Sequence, residues 1–194
     1  MKLLSSAASP FGSKVKIWAH LLGVSDQIEI QMVDTVGLAN SDQHPNPLGK
    51  IPCLVDDSRT IFDSAVICEH LAEVAKDTTG LPQSLDEKIL LALINGLTEA
   101  ALLAVYEDRM HPAEHQSHKW LAMQHKKIDK SLDALEQEPA IATDTLTGAA
   151  LAAALGYLDL RLGGEWRDTR PNLAQWLQTF SHRHTWYAQV KPKA

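Results

Sequence analysis

The sequence predicts two structural units, a small α/β unit in residues 1–75 and an all-helical unit in residues 84–194. In the first unit, short segments with strand-like alternation are interleaved with a segment whose apolar residues recur at helical spacing. From Ser84 onward, helical spacing continues without a strand signal. Residues 76–83 contain Gly80 and Pro82 among polar residues, a composition typical of a linker, so we place the domain boundary there.

The α/β unit has the predicted order β-α-β, a looser stretch, and then β-β-α. Gly23 ends the first helix, and the next segment alternates apolar and polar side chains, as a half-buried strand does. The predicted elements are a strand at Lys2–Ser5, a helix at Phe11–Leu22, a strand at Ile28–Met32, a hairpin of residues 53–55 and 60–62, and a helix from Asp63 to about Ala75.

The second unit contains four predicted helices. The apolar run from Gly148 to Leu158 is shorter than the ~20 residues that a membrane span needs, so we interpret it as a buried core helix. Thr147, or Asp144 before it, is expected to cap this helix. The helices are marked by Leu90, Leu93, Ile94, Leu97, Ala101 and Ala104; by Leu121, Ile128, Leu132 and Leu135; by Ala149–Leu160; and by Pro171–Phe180.

Composition narrows the classes of function. With 24 acidic residues against 18 Lys and Arg, the chain has a formal net charge of −6, which argues against a dedicated nucleic-acid binder. The first residues lack the apolar region of a signal peptide, and no membrane span is predicted. Two cysteines, Cys53 and Cys68, lie in apolar surroundings and are expected to be structural thiols in a reducing cytoplasm.

Four of the nine histidines, His111, His115, His118 and His125, have spacings that place them near one another on a helical wheel. A metal site is one interpretation. A helix face partly covered by its neighbours is the favoured one, because Pro112 is expected to start the helix and His125 falls on its apolar stripe. We therefore predict no metal.

Three further segments could carry chemistry. Ser9-Pro10-Phe11 suits a helix start, with Ser9 as the N-cap, and such a helix N-terminus also stabilises an anion such as a thiolate. Asn46-Pro47-Leu48-Gly49-Lys50-Ile51-Pro52 leads into a predicted strand with proline at its entrance. Asp63-Ser64 opens another helix, where it can serve either as ordinary capping or as an anion site.

Together, Ser9-Pro10-Phe11, Lys50-Ile51-Pro52 and Asp63-Ser64 resemble the glutathione site of serine-type members of the glutathione transferase family, such as the plant tau class. In length and C-terminal part, the chain is similar to uncharacterised bacterial members. The resemblance implies a thioredoxin-like N-terminal domain joined to an all-α C-terminal helical bundle. It covers nearly the whole chain and is most specific in residues 1–75.

The resemblance also implies a role for each site residue. Ser9 would donate a hydrogen bond to the glutathione sulfur, although Ser5, Ser6 and Ser13 are nearby alternatives. Ile51 would pair its backbone with the cysteinyl unit beside a cis Pro52, and Phe11 would form a wall. Lys50 would bind the glycine carboxylate, while Asp63 and Ser64 would hold the γ-glutamyl end. Glutathione is then a co-substrate, and no cofactor is needed.

The family likeness further implies that Tyr106, Arg109 and Met110 line the electrophile pocket and that the chain forms a homodimer. Ala100, Ala101 and Ala104 would permit close approach of the helices that meet in the dimer. The expected function is conjugation of the glutathione thiolate to small hydrophobic electrophiles. Two alternatives remain open: a non-catalytic interaction module of the same fold, and a glutathione-dependent isomerase, dehalogenase or peroxidase.

Overall fold

A computed structural model describes residues 1–34, 44–138 and 141–194. Its N-terminal part contains a mixed four-stranded sheet of strand order β2-β1-β3-β4. β1 pairs parallel with β2, and β3 pairs antiparallel with both β1 and β4. The strands are β1 (Lys2–Ser5), β2 (Glu29–Met32), β3 (Cys53–Asp56) and β4 (Arg59–Ile61).

Helices make up most of the remaining described residues. They are α1 (Pro10–Leu21), α2 (Ser64–Ala75), α3 (Leu85–Met110), α4 (His118–Glu136), α5 (Leu146–Arg161), α6 (Trp166–Thr169), α7 (Pro171–Arg183) and α8 (Tyr187–Val190). The predicted order of the α/β unit and the predicted helices of the second unit are confirmed. The short α6 and α8 were not predicted, because a helix of one turn has no readable periodicity.

The central strands of the sheet are buried and β2 is not. Leu3 on β1 and Leu54 on β3 are fully buried, whereas every residue of β2 is exposed. The prediction of a half-buried strand at Ile28–Met32 is therefore wrong for Ile30 and Met32, which are 40% and 57% exposed. Ile28, the one member of that segment that is buried, lies just before the strand. Alternation predicts a strand but does not say that its apolar face is covered.

Helix α1 packs against α2 and, on another side, against α5. Trp18 is 1% exposed, and its indole N–H donates to the carbonyl oxygen of Cys68 on α2 at 2.9 Å. The same ring contacts the linker: a Cβ added at Gly80 would lie 2.6 Å from its Cη2 atom. Glycine is required at position 80 because the Trp18 ring occupies the space of a side chain.

The core helix of the second part is α5, buried from Leu146 to Leu158 as predicted. Its cap is neither Thr147 nor Asp144. The N-cap is Thr145, whose Oγ1 accepts from the Gly148 N–H at 3.1 Å. Thr147 is already inside the helix and 7% exposed, and Asp144 forms an ion pair with Arg183 at the end of α7 and lies 3.2 Å from Nε2 of His184. The prediction was wrong because any of three neighbouring polar residues could cap the helix, and packing selected one.

The histidine-rich segment differs from the predicted helix. His111 is the C-cap of α3, residues Ala113–His115 form a 3-10 turn, and α4 begins only at His118. His125 is exposed, and Gln124 is the buried residue beside it. Within the described ranges, no group of three or more His, Cys, Asp or Glu side chains could hold a metal ion.

Helix α3 is long and apolar enough to cross a membrane by length and composition alone, with a mean hydropathy of 1.9 in its most apolar stretch. Ile94, Leu97 and Ala101 on its core side are buried, and the helix packs against α4 and α5. The length-and-composition signal therefore does not require a membrane.

We expect Thr145→Ala to lower the free energy of unfolding by about 1 kcal/mol, because the first turn of α5 loses its side-chain acceptor. Thr145→Ser retains a hydroxyl and should keep most of that stability. Urea unfolding of the two variants and the wild type measures the difference. Equal losses in the alanine and serine variants would contradict a capping role.

Candidate active site

Ser9 lies where β1 passes into α1. Its side chain caps the helix: Oγ accepts from the Gly12 N–H at 3.0 Å, so the hydroxyl hydrogen remains free to donate. Ser5 and Ser13 are fully buried, whereas Ser9 and Ser6 are half-buried. Of the four serines considered from the sequence, Ser9 and Ser6 alone have solvent access.

Gly12 lies against two of the serines at this junction, Ser5 and Ser9. A Cβ at this position would lie 2.1 Å from Ser5 Oγ and 3.2 Å from Ser9 Oγ. Any larger residue would displace the Ser5 side chain from its place under the helix start. Because Gly12 has no side chain, the backbone around Ser9 can lie close to β1.

The loop before β3 is organised by Asn46, which the sequence analysis did not assign a role. Asn46 is 2% exposed; its Nδ2 donates to the Lys50 carbonyl oxygen at 2.9 Å, and its Oδ1 accepts from the Leu48 N–H at 2.9 Å. The Ile51–Pro52 peptide that follows is cis, and the Lys50 side chain is exposed. An asparagine before proline in a turn-rich segment is the signal that could have identified Asn46.

Helix α2 begins at the pair predicted from the sequence. Asp63 is its N-cap, and Oδ1 accepts from the Ala65 N–H at 2.9 Å. Asp63 is exposed, and Ser64 is 5% exposed. The helix thus offers an exposed carboxylate and free backbone N–H groups at one point, which suits an α-amino acid group carrying both charges.

Lys14 is a buried lysine next to this site that sequence reasoning missed. It is 4% exposed, and its Nζ donates to Asn95 Oδ1 on α3 at 3.2 Å and lies 5.6 Å from the Phe11 ring centroid. Burial lowers the pKa of Lys14, while the nearby Asp63 and Glu99 carboxylates act to raise it. Lys14 therefore joins α1 to the helical part through its hydrogen bond to Asn95.

The predicted electrophile residues lie together near the C-terminal end of α3. Tyr106 and Met110 are 36% and 54% exposed, and Arg109 is also exposed. The linker residue Gly80 lies against Trp18 near the C-terminal end of α1, and α3, which begins at Leu85, passes Lys14 at Asn95. Helix α3 therefore continues toward the Ser9 end of α1, and Tyr106 lies roughly 16 Å farther along its axis than Asn95.

Comparisons with known proteins agree with this geometry. The family model described as "Glutathione S-transferase, N-terminal domain" matches residues 8–74. The uncharacterized GST-like protein YibF of Escherichia coli K12 is 33% identical over 205 aligned residues, covering 100% of both chains. The chain belongs to the glutathione transferase family.

Solved structures of glutathione transferases share the fold. A family member from Pseudomonas fluorescens Pf-5, with bound S-(propanoic acid)-glutathione, is 31% identical with a TM-score of 0.84, covering 100% of both chains. The same family member has also been solved with bound glutathione. A glutathione S-transferase from Methylobacterium radiotolerans, in complex with glutathione sulfonate, is 26% identical with a TM-score of 0.85, covering 100% of this chain and 95% of that one. The predicted fold, thioredoxin-like domain plus helical domain, is confirmed.

In this glutathione transferase family member, the C-terminal segment reaches the loop before Ser9. The Lys193 N–H donates to the Ala7 carbonyl oxygen at 3.1 Å. Burial and, secondarily, the positive charge of Lys193 lower the pKa of Lys16 on α1 to about 8. Two ammonium groups thus lie near each other where the tail meets α1.

We expect the free energy of unfolding of Lys16→Met, relative to that of the wild type, to be highest near pH 7 and to fall as the pH rises to 10. The unfolded chain holds the Lys16 proton up to its ordinary pKa of 10.5, whereas the folded chain releases it near 8. Raising the pH between these values therefore favours the folded wild type. Urea unfolding at several pH values measures the trend. Lys126→Met, at an exposed lysine, should show no such trend.

Proposed function

We propose that this chain is a glutathione transferase that conjugates an enzyme-bound glutathione thiolate to small, largely apolar electrophiles. The observation that carries the proposal is the side chain of Ser9 at the N-terminus of α1. Its hydroxyl is accessible, accepts a hydrogen bond from the Gly12 N–H and keeps its own proton free to donate. A hydrogen-bond donor and the positive end of a helix both favour the charged form of a thiol. The reaction needs glutathione as co-substrate and no metal or cofactor.

The remaining glutathione contacts follow from the two other site segments. Ile51, beside cis Pro52, would pair with the cysteinyl backbone, and Lys50 would bind the glycine carboxylate. Asp63 and Ser64 at the start of α2 would hold the γ-glutamyl group, with the buried Lys14 side chain nearby. The bound glutathione of the Pseudomonas relative supports glutathione as the ligand.

The electrophile would lie between Phe11 on α1 and the end of α3, where Tyr106, Arg109 and Met110 are accessible. These side chains belong to different parts of the chain, so the cleft is formed only when both parts pack together. The S-substituted glutathione bound by the Pseudomonas relative supports chemistry at the sulfur atom.

We expect Ser9→Ala to bind glutathione with little change in affinity but to lose most of its thiolate at neutral pH. The variant keeps the binding contacts and removes the donor to sulfur. Calorimetric titration measures binding, and ultraviolet thiolate absorbance of each complex measures ionisation. Ser6→Ala is the matched control, since Ser6 is the other accessible serine of the junction.

Equal thiolate absorbance in wild type and Ser9→Ala, with a loss in Ser6→Ala, would transfer the role to Ser6. Absence of glutathione binding by the wild type would overturn the enzyme assignment. The interaction module of the same fold would then be the better hypothesis, and protein partners would become the object of the search.

We further propose that the chain is a homodimer formed through the exposed side of α3. Ala100, Ala101 and Ala104, considered from the sequence for this contact, are at most 2% exposed within the single chain, so they belong to its core. Leucine and isoleucine side chains instead form an apolar stripe on the exposed side. The stripe consists of Leu85, Ile89 and Leu103, which are 40–72% exposed.

We expect the wild type to sediment at twice the 21.3 kDa chain mass and Leu103→Glu to sediment as a monomer. A charge at the centre of an apolar interface would be desolvated without a partner. Met32→Glu, at an exposed apolar residue of β2, is the control and should remain dimeric. Sedimentation velocity makes the comparison. A monomeric wild type would overturn the dimer.

We also propose that the protein is located in the cytoplasm. Cys53 and Cys68 are both free and buried, which suits a reducing compartment. Burial raises the pKa of Cys68 to about 12, so this thiol is unreactive at neutral pH. Ser9 occupies the position where redox members of the family carry cysteine, so thiol–disulfide exchange through the protein is not part of the proposed chemistry.

A further inference from the structure

Two tyrosines and two arginines lie at the adjoining C-terminal ends of α3 and α5. Tyr106 and Arg109 are about one turn apart on α3, and Tyr157 and Arg161 are about one turn apart on α5. The two helices pack against each other, and Tyr157 interacts electrostatically with both Tyr106 and Arg109, so the two pairs lie in one region. The sequence analysis considered the α3 pair and did not consider the α5 pair.

Tyr157 is the buried member of this group. It is 3% exposed, and its hydroxyl forms no hydrogen bond with any residue that the structure describes. Burial raises the pKa of Tyr157 to about 12, Arg161 and Arg109 act to lower it, and Tyr106 acts to raise it. All three neighbours are therefore within electrostatic range of its phenol.

The two arginines differ from those elsewhere in the helical part. Arg167, Arg170 and Arg183 each form an ion pair with an aspartate at 2.5–3.3 Å. Arg109 and Arg161 are exposed, and neither forms an ion pair with a residue in the described ranges. This end of the α3–α5 pair thus presents two unneutralised guanidinium groups beside an unpartnered phenol.

The group lies on the Ser9 side of the molecule. Asp144, just before α5, adjoins Gly80 and the Trp18 end of α1, so α5 runs back toward the start of α1. At the other end of α5, a Cβ on Gly156 would lie 3.2 Å from Pro192, and the next residue, Lys193, bonds to Ala7. Tyr157 and Arg161 are therefore near the loop that carries Ser9.

We propose that Arg109 and Arg161, with the hydroxyls of Tyr106 and Tyr157, bind a carboxylate on the electrophile. Among the small electrophiles of the proposed function, the preferred class is then those whose otherwise apolar frame carries a carboxylate, with α,β-unsaturated carboxylates as the simplest members. This inference rests on the proposed function, because the carboxylate belongs to the same electrophile whose carbon reacts with the glutathione sulfur.

The chemistry of such an addition is balanced without a further reactant. The thiolate sulfur forms a bond to the β-carbon, the electron pair of the carbon–carbon double bond moves to the α-carbon, and that carbon takes a proton from water. The thiolate and the carboxylate repel each other, and negative charge develops toward the carboxylate during the step. Arginine and tyrosine donors offset both effects through charge-assisted hydrogen bonds.

The test compares two glutathione conjugates that differ only in charge, S-(2-carboxyethyl)glutathione and its amide isostere S-(2-carbamoylethyl)glutathione. Each is titrated calorimetrically into the wild type, Arg109→Gln and Arg161→Gln, with glutathione itself as the reference ligand. Arg59→Gln on β4 is the matched control, because it removes the same charge at an exposed position outside the helical part.

We expect the wild type and Arg59→Gln to bind the carboxylate conjugate about tenfold or more tightly than the amide. Arg109→Gln and Arg161→Gln should lose most of this preference and bind glutathione as the wild type does. Equal affinity of the wild type for the two conjugates would overturn the proposal, as would a preference that survives in both variants.

Two other outcomes separate this proposal from the one on which it rests. If the arginine variants weaken binding of unmodified glutathione as strongly as that of its conjugate, the arginines bind a carboxylate of glutathione, and the proposal is wrong while the enzyme assignment stands. If the wild type binds none of the three ligands, the proposed function itself is wrong.

Discussion

The burial of α1 between α2 and the helical part is the constraint on which the rest of the structure depends. Trp18 joins α1 to α2 through the Cys68 carbonyl and fills the space beside Gly80 in the linker. Lys14 joins the same helix to Asn95 on α3. Because α1 is held on both sides, its N-terminus, and Ser9 with it, has a defined position relative to the helical domain.

That position has an electrostatic consequence. The glutathione side of the site combines a helix N-terminus and the exposed Lys50, both of which favour negative charge. On the helical side, Arg109 and Arg161 extend the positive region past the expected place of the sulfur. A chain of net charge −6 thus places Lys50, Arg109 and Arg161, which form no ion pair with a residue in the described ranges, around the proposed site. Such a field raises the local concentration of anionic ligands.

The local features of the site were readable from the sequence because short-range chemistry produces them. Ser9 and Asp63 are N-caps in the structure, as their places before helical segments predict. Asn46 and Lys14 were missed for different reasons. Asn46 forms its hydrogen bonds within its own loop, where the neighbouring residues predict only an ordinary turn. A lysine within an amphipathic helix gives no sequence signal that it will be buried.

The sequence by itself determined the order of strands and helices, the helix-starting residues of the site and the family. Periodicity and capping are local properties, and the motifs of the first 75 residues are specific. Tertiary structure alone decided which apolar face is core and which is free, as the buried Ala100, Ala101 and Ala104 and the exposed Leu103 on one helix show. It also decided that Tyr157 and Arg161 join Tyr106 and Arg109, because residues about fifty positions apart meet only when α3 packs on α5.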